Sequence, residues 1–511
     1  MGLVNAWKGL FTSEPPNPTV LPRRKRGYDA ATPSRLTSNW SVSNSSADAA
    51  LKGAIAPLRY KSRDLVRNSP FARQAVRAIE SNTIGAHGIK LQAQVRQQRG
   101  KRLDTKINSQ IEQAWAEWKR YDSCHTAGRL CFADIEKVIV RSLVTDGEIF
   151  VRFVRKPFGR SKIPFSLELL EADQLDSDFT GRSSKKKNVW RMGIEQSEFG
   201  RAVQYAFLKK HPGDTPFGTP VGQREHMIIP ASEICHIFVS NRPSQSRGEP
   251  WLSSSILSLH HLAGFQEASV IRARAASSLM GFITSPEGEL DQGGEVYDNE
   301  RVSQFEPGAF KYLDQGQQVS VPDFDSPNSE FPEFMSAMLR SVASGCGISY
   351  ESVSKDFSKT NYSSSRLSLL EDRNHYRSLQ TYLIENFHSR VFDAWLEMAT
   401  LSGALVLPSY DTEPERYRKV RWIPRGWDWI DPQKEIAANK EAVRAGFKTM
   451  ADVISSQGGD LEELLPARKA ELDAAAQLNL VFDTDVATTT QQTVTNIETS
   501  ANSQTNGKEE T

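Results

Sequence analysis

The chain has 511 residues, 38% hydrophobic and 24% charged, with 63 Lys and Arg against 62 Asp and Glu. That length accommodates a large core and more than one structural unit, and the balanced charge excludes the strongly basic class that grips nucleic acid through a positive excess. Four scattered cysteines (Cys124, Cys131, Cys235, Cys346) exclude a disulfide framework and read as buried thiols, and no apolar run reaches bilayer-spanning length.

Residues 1–55 are expected to be a disordered tail. They hold Pro15-Pro16, the basic run Arg23-Arg24-Lys25-Arg26 and a Ser/Asn/Ala-rich patch from Ser38 to Ala50, which offer little apolar surface to bury. The opening MGLVNAWKGLF is mildly amphipathic and lacks a signal-peptide core, so assembly in the cytoplasm is expected. A first helix is predicted from Pro70, capped by Ser69, with Phe71, Ala72, Ala75, Val76 and Ile79 on one face and Gly85 and Gly88 ending it. A second carries Ile107, Ile111, Ala114, Trp115 and Trp118; a third starts near Phe132 with Ile135, Val138, Ile139 and Leu143. Asp146-Gly147 reads as a turn into a strand from Glu148 to Arg155 with alternating faces. Further strands are expected at Phe165–Leu170, Ala202–Lys209 and Ile234–Val239, giving a mixed α+β region.

Asn241 to Pro250 is a loop, and Trp251 opens helix-compatible sequence up to Met280, roughly 45 Å if continuous. An acidic, glycine-containing excursion follows over 281–308, with Glu287, Glu289, Asp291, Glu295, Asp298 and Glu300, then a strand-like piece at 309–313 and a helix from Phe331 to Ser344. The run Asn361-Tyr362-Ser363-Ser364-Ser365-Arg366 opens what reads as one long helix to Ser402. In Trp427-Asp428-Trp429-Ile430-Asp431-Pro432-Gln433-Lys434, Asp431 is an N-cap and Pro432 the first helical residue. Thr449 caps a short helix through Ile454, Gly458-Gly459 breaks it, and Asp460 with Glu463 has the capping-box spacing. Pro466 leaves the continuity to Leu480 open. Residues 483–511, rich in Thr, Asn and Gln, read as a flexible tail.

No motif for catalysis, metal or cofactor binding stands up. Adjacent His260 and His261 point about 100° apart on a helix and do not share a metal in the usual i, i+4 manner. Cys124, His125 and Cys131 lack a second cluster at zinc spacing. Gly85-Ala86-His87-Gly88-Ile89-Lys90 lacks the phosphate-loop spacing and follows a helix, so no nucleotide-binding loop is supported. Ser363, Ser364 and Ser365 have no nucleophile elbow around them and suit helix capping, although an enzyme built on them is one alternative. Glu168, Glu171 and Asp173 form a carboxylate cluster that reads as the solvated end of a strand. The basic run at 23–26 and the acidic stretch at 287–300 read first as solvated segments, and second as partner contacts.

Five blocks in order resemble the lambda-type family of tailed-phage portal proteins. They are SRDLVRNSPFARQAVRAIESNTIGAHGI from residue 62, the Trp115/Trp118 helix with Asp146-Gly147-Glu148, Arg247-Gly248-Glu249-Pro250-Trp251-Leu252, Asn361–Arg366 and Trp429 to Glu435. The resemblance covers roughly residues 55–480 and singles out Asn361, Tyr362, Ser363, Ser364, Arg366, Trp429, Asp431, Pro432 and Lys434 as structural signature positions. It implies a helix-rich α+β portal-like fold with an α+β wing (56–250), a stem and clip (251–330), a channel helix with remaining wing (331–425) and a helical crown (426–482). It also implies a ring of about twelve copies at one capsid vertex, closed through heterologous faces. Duplex DNA would pass without sequence specificity, and the major capsid protein, terminase and head-completion or tail-connector proteins would dock outside. Glu287, Glu289 and Asp291 are then candidates for a docking rim. No catalytic residue, cofactor, metal or membrane contact is implied, and a minor capsid or tail-adaptor protein is the alternative.

Overall fold

The computed structural model describes residues 44–98, 102–185, 187–214, 224–277, 331–427 and 431–478, Leu480, and short strands at 282–284, 295–297, 300–302 and 318–320. The chain divides after Ser46, and the unit from Ala47 onward is the one described below.

Three helices open this unit: α1 (Ala47–Lys52), α2 (Ile55–Asn68) and α3 (Pro70–Thr83). The Ser69 side chain accepts from the Ala72 N–H, and Pro70 sits where no N–H is needed. Ordered structure thus begins before residue 55, because Ala47, Leu51 and Ile55 are apolar side chains that are buried. β1 (Lys90–Ala93), α4 (Thr105–Trp118), α5 (Tyr121–Cys124) and α6 (Phe132–Asp146) follow. Asp146-Gly147 is a helix stop: Gly147, at φ +86°, donates to the Ser142 and Leu143 carbonyls and closes α6 with a left-handed cap.

β2 (Glu148–Val154) and β3 (Ser166–Leu170) lead into an antiparallel five-stranded sheet of β4 (Gly181–Arg182), β5 (Val189–Arg191), β6 (Ile194–Gln196), β7 (Ala202–Leu208) and β8 (His226–Pro230). β9 (Ile234–Phe238) returns to pair with β2, giving a second sheet ordered β3-β2-β9. The expected alternation of faces along β2 holds, and both faces are packed. Ile149, Val151 and Phe153 enter the main core, while Phe150 enters a smaller one with Leu170, Leu175, Ile194, Tyr205, Phe207, Ile229 and Ile234.

A 3-10 turn (Trp251–Ser255) precedes α7 (Ile256–Ser277), so the expected long helix has a tight first turn. Four short strands follow, β10 (Phe282–Thr284), β11 (Glu295–Tyr297), β12 (Glu300–Val302) and β13 (Gln318–Ser320), paired β10 with β13 and β11 with β12. The expected strand at 309–313 and the residues Glu287, Glu289 and Asp291 lie outside the described residues. Next come α8 (Phe331–Cys346), α9 (Tyr350–Ser354), α10 (Tyr362–Leu383) and α11 (Ser389–Leu401). The single helix expected to Ser402 is interrupted by a π-helical turn, Ile384–His388. This turn lets His388 meet Glu136 of α6, whose carboxylate also accepts from the Ile89 N–H at 3.2 Å. A side chain at Gly88 would strike that carboxylate, 2.3 Å from a Cβ.

The chain ends its described course with α12 (Pro414–Tyr417), β14 (Val420–Ile423) paired with β1, α13 (Pro432–Arg444), α14 (Met450–Ser456) and α15 (Leu461–Gln477). Asp431 and Thr449 cap as expected. Asp460 instead accepts from the Glu462 N–H without a capping box to Glu463, and α15 runs on through Pro466. One main core draws on residues from Leu65 to Tyr417 and holds the rings of Trp115, Trp118, Phe132, Phe387, Phe392 and Trp395. The expected boundaries at 250 and 331 therefore divide no separate cores.

A charge cluster sits at the head of β2. The fully buried Glu148 carboxylate accepts from Arg59, from Arg247 Nε at 2.7 Å, from His236 at 3.0 Å and from the Gly248 N–H at 2.8 Å. Arg63 bridges Asp146, at 2.7 Å, and Asp173. Burial disfavours the charged carboxylate, but the Arg247 and Arg59 guanidiniums prevail and hold Glu148 well below the usual range. Burial likewise holds His236 below its ordinary value. Replacing Glu148→Gln leaves two buried guanidiniums short of an anion and is expected to cost roughly 3–5 kcal/mol, read by urea unfolding. Both shifted groups take up protons at higher pH in the unfolded chain than in the folded one, so stability present at neutral pH declines on acidification. The decline is expected to begin as pH falls below about 6.5 through His236 and to steepen below about 4.3 through Glu148. Thermal melting across that range checks it, and a flat profile from pH 7 to 4 contradicts it.

Candidate functional site

The residues singled out by sequence gather around α10. Upstream of it, Gly347, at φ +68°, closes α8, with the Ile348 N–H reaching the Ala343 carbonyl. Ser349 caps α9 and is itself held by Asp372 of α10: the carboxylate accepts from the Ser349 N–H at 2.8 Å and from the Ser349 and Ser352 hydroxyls at 2.7 and 2.6 Å. Lys355, at φ +57°, ends α9 in a left-handed turn, and Asp356 accepts from the Ser358 N–H and the Tyr350 hydroxyl. Asn361 and Ser364 then form a reciprocal capping box at the start of α10. The Ser364 hydroxyl is taken up by the Asn361 backbone, and the exposed Ser363 stands beside it on the same turn.

At its C-terminal half α10 meets the segment before α13. Trp427 lies over the guanidiniums of Arg373 and Arg377, at 5.8 and 5.4 Å, stacks toward Tyr376 and donates to Asn82 at 3.3 Å. Gln380 donates to the Thr83 carbonyl at 2.9 Å and to the Arg425 carbonyl at 3.1 Å, and Arg425 reaches Ser81 and Asn82. Gly85, at φ +76°, leaves room for the Arg425 stem: a Cβ there would lie 2.8 Å from it. Asp431 is held below the usual carboxylate range by hydrogen bonds from Lys434, with a further contribution from Arg366. Asn361, Ser363, Ser364 and Arg366 thus share one helix end, and Arg366 acts on Asp431 across 65 residues of sequence, whereas Trp429 and the Tyr362 side chain lie outside the described residues.

A cleft of about 510 Å³ opens beside this junction, between the Asn241–Pro250 loop, the end of α8 and α10. Trp251, Leu379 and Tyr382 give it an apolar wall, and Glu249, Cys346 and His375 also line it. Burial pushes the Cys346 thiol up to about 11 and holds His375 below its ordinary value, so neither is primed as a nucleophile or cation at neutral pH. The Tyr382 hydroxyl is engaged with the Phe238 backbone.

The other candidates separate. His260 and His261 are exposed on α7 with rings 5.9 Å apart. Cys124 donates to the Lys119 and Leu130 carbonyls, and Cys131 to Asp134. Glu168 pairs across strands with Arg152, away from Glu171 and Asp173. Those two converge with His211, their ligand atoms within 4.8 Å of one another, but the Arg63 guanidinium already binds Asp173 and approaches Glu171 at 3.9 Å. A cation in that position suits an ion pair better than a metal. The sequence reading missed the Glu148 cluster; the signal was available, since Glu148, Arg247 and Gly248 stand in two of the five recognised blocks.

The chain matches the family model described as phage portal protein, lambda family, over residues 33–380. It is 28% identical over 480 residues to the probable portal protein of Halomonas phage phiHAP-1, covering 91% of each. It is 22% identical to portal protein B of Escherichia phage lambda, covering 85% of this chain and 86% of that one. Among solved structures, the neck of an empty GTA particle computed with C6 symmetry aligns at 14% identity and TM-score 0.44, covering 78% of this chain and 93% of that one.

Trp427 lies beyond the matched residues 33–380, yet its ring packs onto α10. Trp427→Ala is expected to cost about 2 kcal/mol in stability, less than a fully buried tryptophan because the ring is only partly buried. It should also speed tryptic cleavage at Arg425 several-fold in limited proteolysis; an unchanged cleavage rate would show that the ring does not hold that segment.

Proposed function

The chain belongs to the lambda family of phage portal proteins, and we propose that its copies close into a ring of about twelve at one capsid vertex, forming the channel for DNA packaging and ejection. The single observation that carries this reading is the family match over residues 33–380, with relatives named portal protein along nearly their whole length.

The fold supports the division of labour. α7 runs out to residues 278–330 and α8 runs back, with Phe265 stacked on Phe331 at 5.5 Å and against Phe334 at 4.4 Å. Such a helix pair suits a stem, with the segment between as a clip whose base is tied by β10 and β13. The body from α1 to β9, with α9 to β14, suits the wing, and α13 to α15 the crown. Exposed Leu257, Val270 and Ile271 on α7 would be covered by neighbouring stems. No helix among the described residues is long and apolar enough to cross a membrane.

In this reading the protein does no chemistry of its own. Near-equal numbers of acidic and basic groups let phosphates slide, where a strongly basic wall would hold them. Capsid protein, terminase and head-completion or tail proteins dock on outer surfaces, with Glu287, Glu289 and Asp291 forming an acidic rim for a basic partner. The chain assembles in the host cytoplasm and ends in the virion.

Mass photometry and negative-stain imaging of the purified chain are expected to show annular particles of about twelve copies. A stable monomer of 57.1 kDa at assembly concentrations overturns the reading. Charge reversal at Glu287, Glu289 and Asp291 together is expected to lower DNA packaging while rings still form; normal packaging removes the rim from the motor contact.

A further inference from the structure

The C-terminal helices have almost no interior of their own. No residue of α13 or α14 is buried, and Ala475 alone is buried in α15. Ile436, Met450, Leu464, Leu465 and Leu478 are at least half exposed, and Phe447 is 86% exposed. Helices of 13, 7 and 17 residues are marginal in water without an apolar face to pack. Their ties to the rest of the chain include polar contacts: Gln92 to Asp460 at 2.7 Å, Arg421 to Ser455 at 2.7 Å, and Lys90 to Glu463 at 3.6 Å.

Charge on these helices is split by position. Lys440 and Arg444, four residues apart on exposed α13, make no ion pair among the described residues. At the start of α15, Asp460, Glu462 and Glu463 crowd against Glu112 of α4. Burial and these neighbouring carboxylates push Glu112 up, and burial with Asp460 pushes Glu462 up, Lys90 at 3.6 Å from Glu463 being the one cation paired with the group among the described residues. Each charge cluster has exposed apolar side chains beside it: Ile436 and Phe447 near the basic one, Leu464 and Leu465 near the acidic one.

We infer that α13 to α15 complete their core between copies of this chain: the basic–apolar face of α13 on one copy docks against the acidic–apolar start of α15 on the next. The two faces differ and complement each other, which is the requirement for a heterologous ring contact. A different partner protein would have to match both signs at once, whereas a second copy supplies both. The inference rests on the ring reading above and goes further, since a ring held only through the body and stem would leave these helices bare.

Complementation in trans tests it with the full-length chain. The variant Lys440→Glu/Arg444→Glu makes both faces acidic, and Glu462→Lys/Glu463→Lys makes both basic. Each alone, at low salt, is expected to yield about tenfold fewer rings than wild type while melting as a folded protein. Mixing the two restores rings, because alternating copies pair acid with base at every contact. In such rings amide exchange over 432–478 is expected to slow about tenfold relative to unassembled subunits. Wild-type yields from either variant alone, or a mixture no better than its parts, overturns the inference while wild-type rings keep the portal reading intact. If wild-type protein forms no rings, the portal reading itself fails.

Discussion

Glu148 must stay charged inside the protein, and much of the architecture follows from that. A lone buried carboxylate would neutralise or unfold its surroundings. Here it is met by Arg59 from α2, Arg247 and the Gly248 N–H from the loop before α7, and His236 from β9. Each partner fixes the path of its own segment. Gly147 and Gly248 must both lack side chains, because their backbones press together: a Cβ at Gly248 would lie 2.1 Å from the Gly147 carbonyl oxygen. The sharp stop of α6, the start of β2 and the approach to α7 are therefore one constraint. Replacing the whole set with apolar side chains might serve stability as well in other proteins; in this one the charges also specify which segments meet.

Glu136 and His388 make a second, smaller version of the same device. An α-helical register through Ile384–His388 would turn His388 away, so the helix widens by one residue and the imidazole spans from the Leu383 carbonyl to the Glu136 carboxylate. The two braces act on opposite ends of α6, one beyond its C-cap and one near its first turn. Between them the helix carries Ile135, Ile139, Val140, Leu143 and Val144 into the main core.

What the sequence disclosed depended on how local the signal was. Ser69-Pro70, Thr449 and Asp431-Pro432 were legible because a cap is a contact between residues three apart. β2 was legible as a strand with alternating faces, but not that both faces are packed, since this strand lies between two cores. Asp146-Gly147 has the composition of a hairpin turn; only the preceding helix decides that the glycine is a cap. The π turn leaves no periodic trace, because Leu383, Phe387 and Val391 keep a spacing of four that an ordinary helix also gives. The ordered blocks were recognised as a resemblance, but not that the first of them, around Asn82 and Thr83, meets Gln380 and Trp427 at one junction. That is information about non-local contacts, which single-sequence spacing does not contain.

The unequal distribution of buried surface separates what this chain settles alone from what it leaves to assembly. From α2 to β14 nearly every amphipathic element finds its partner within the subunit, and the charged groups inside are matched. α7 and the helices beyond Trp427 do so only in part: Ile256, Leu259 and Leu262 of α7 enter the main core, whereas Leu257, Val270 and Ile271 of α7 and Ile436, Met450, Leu464 and Leu465 farther on are exposed. The exposed apolar groups there are dispersed among charges of both signs. In the ring reading proposed above, leaving unsatisfied surface on α7 and on α13 to α15 would tie completion of the fold to completion of the ring.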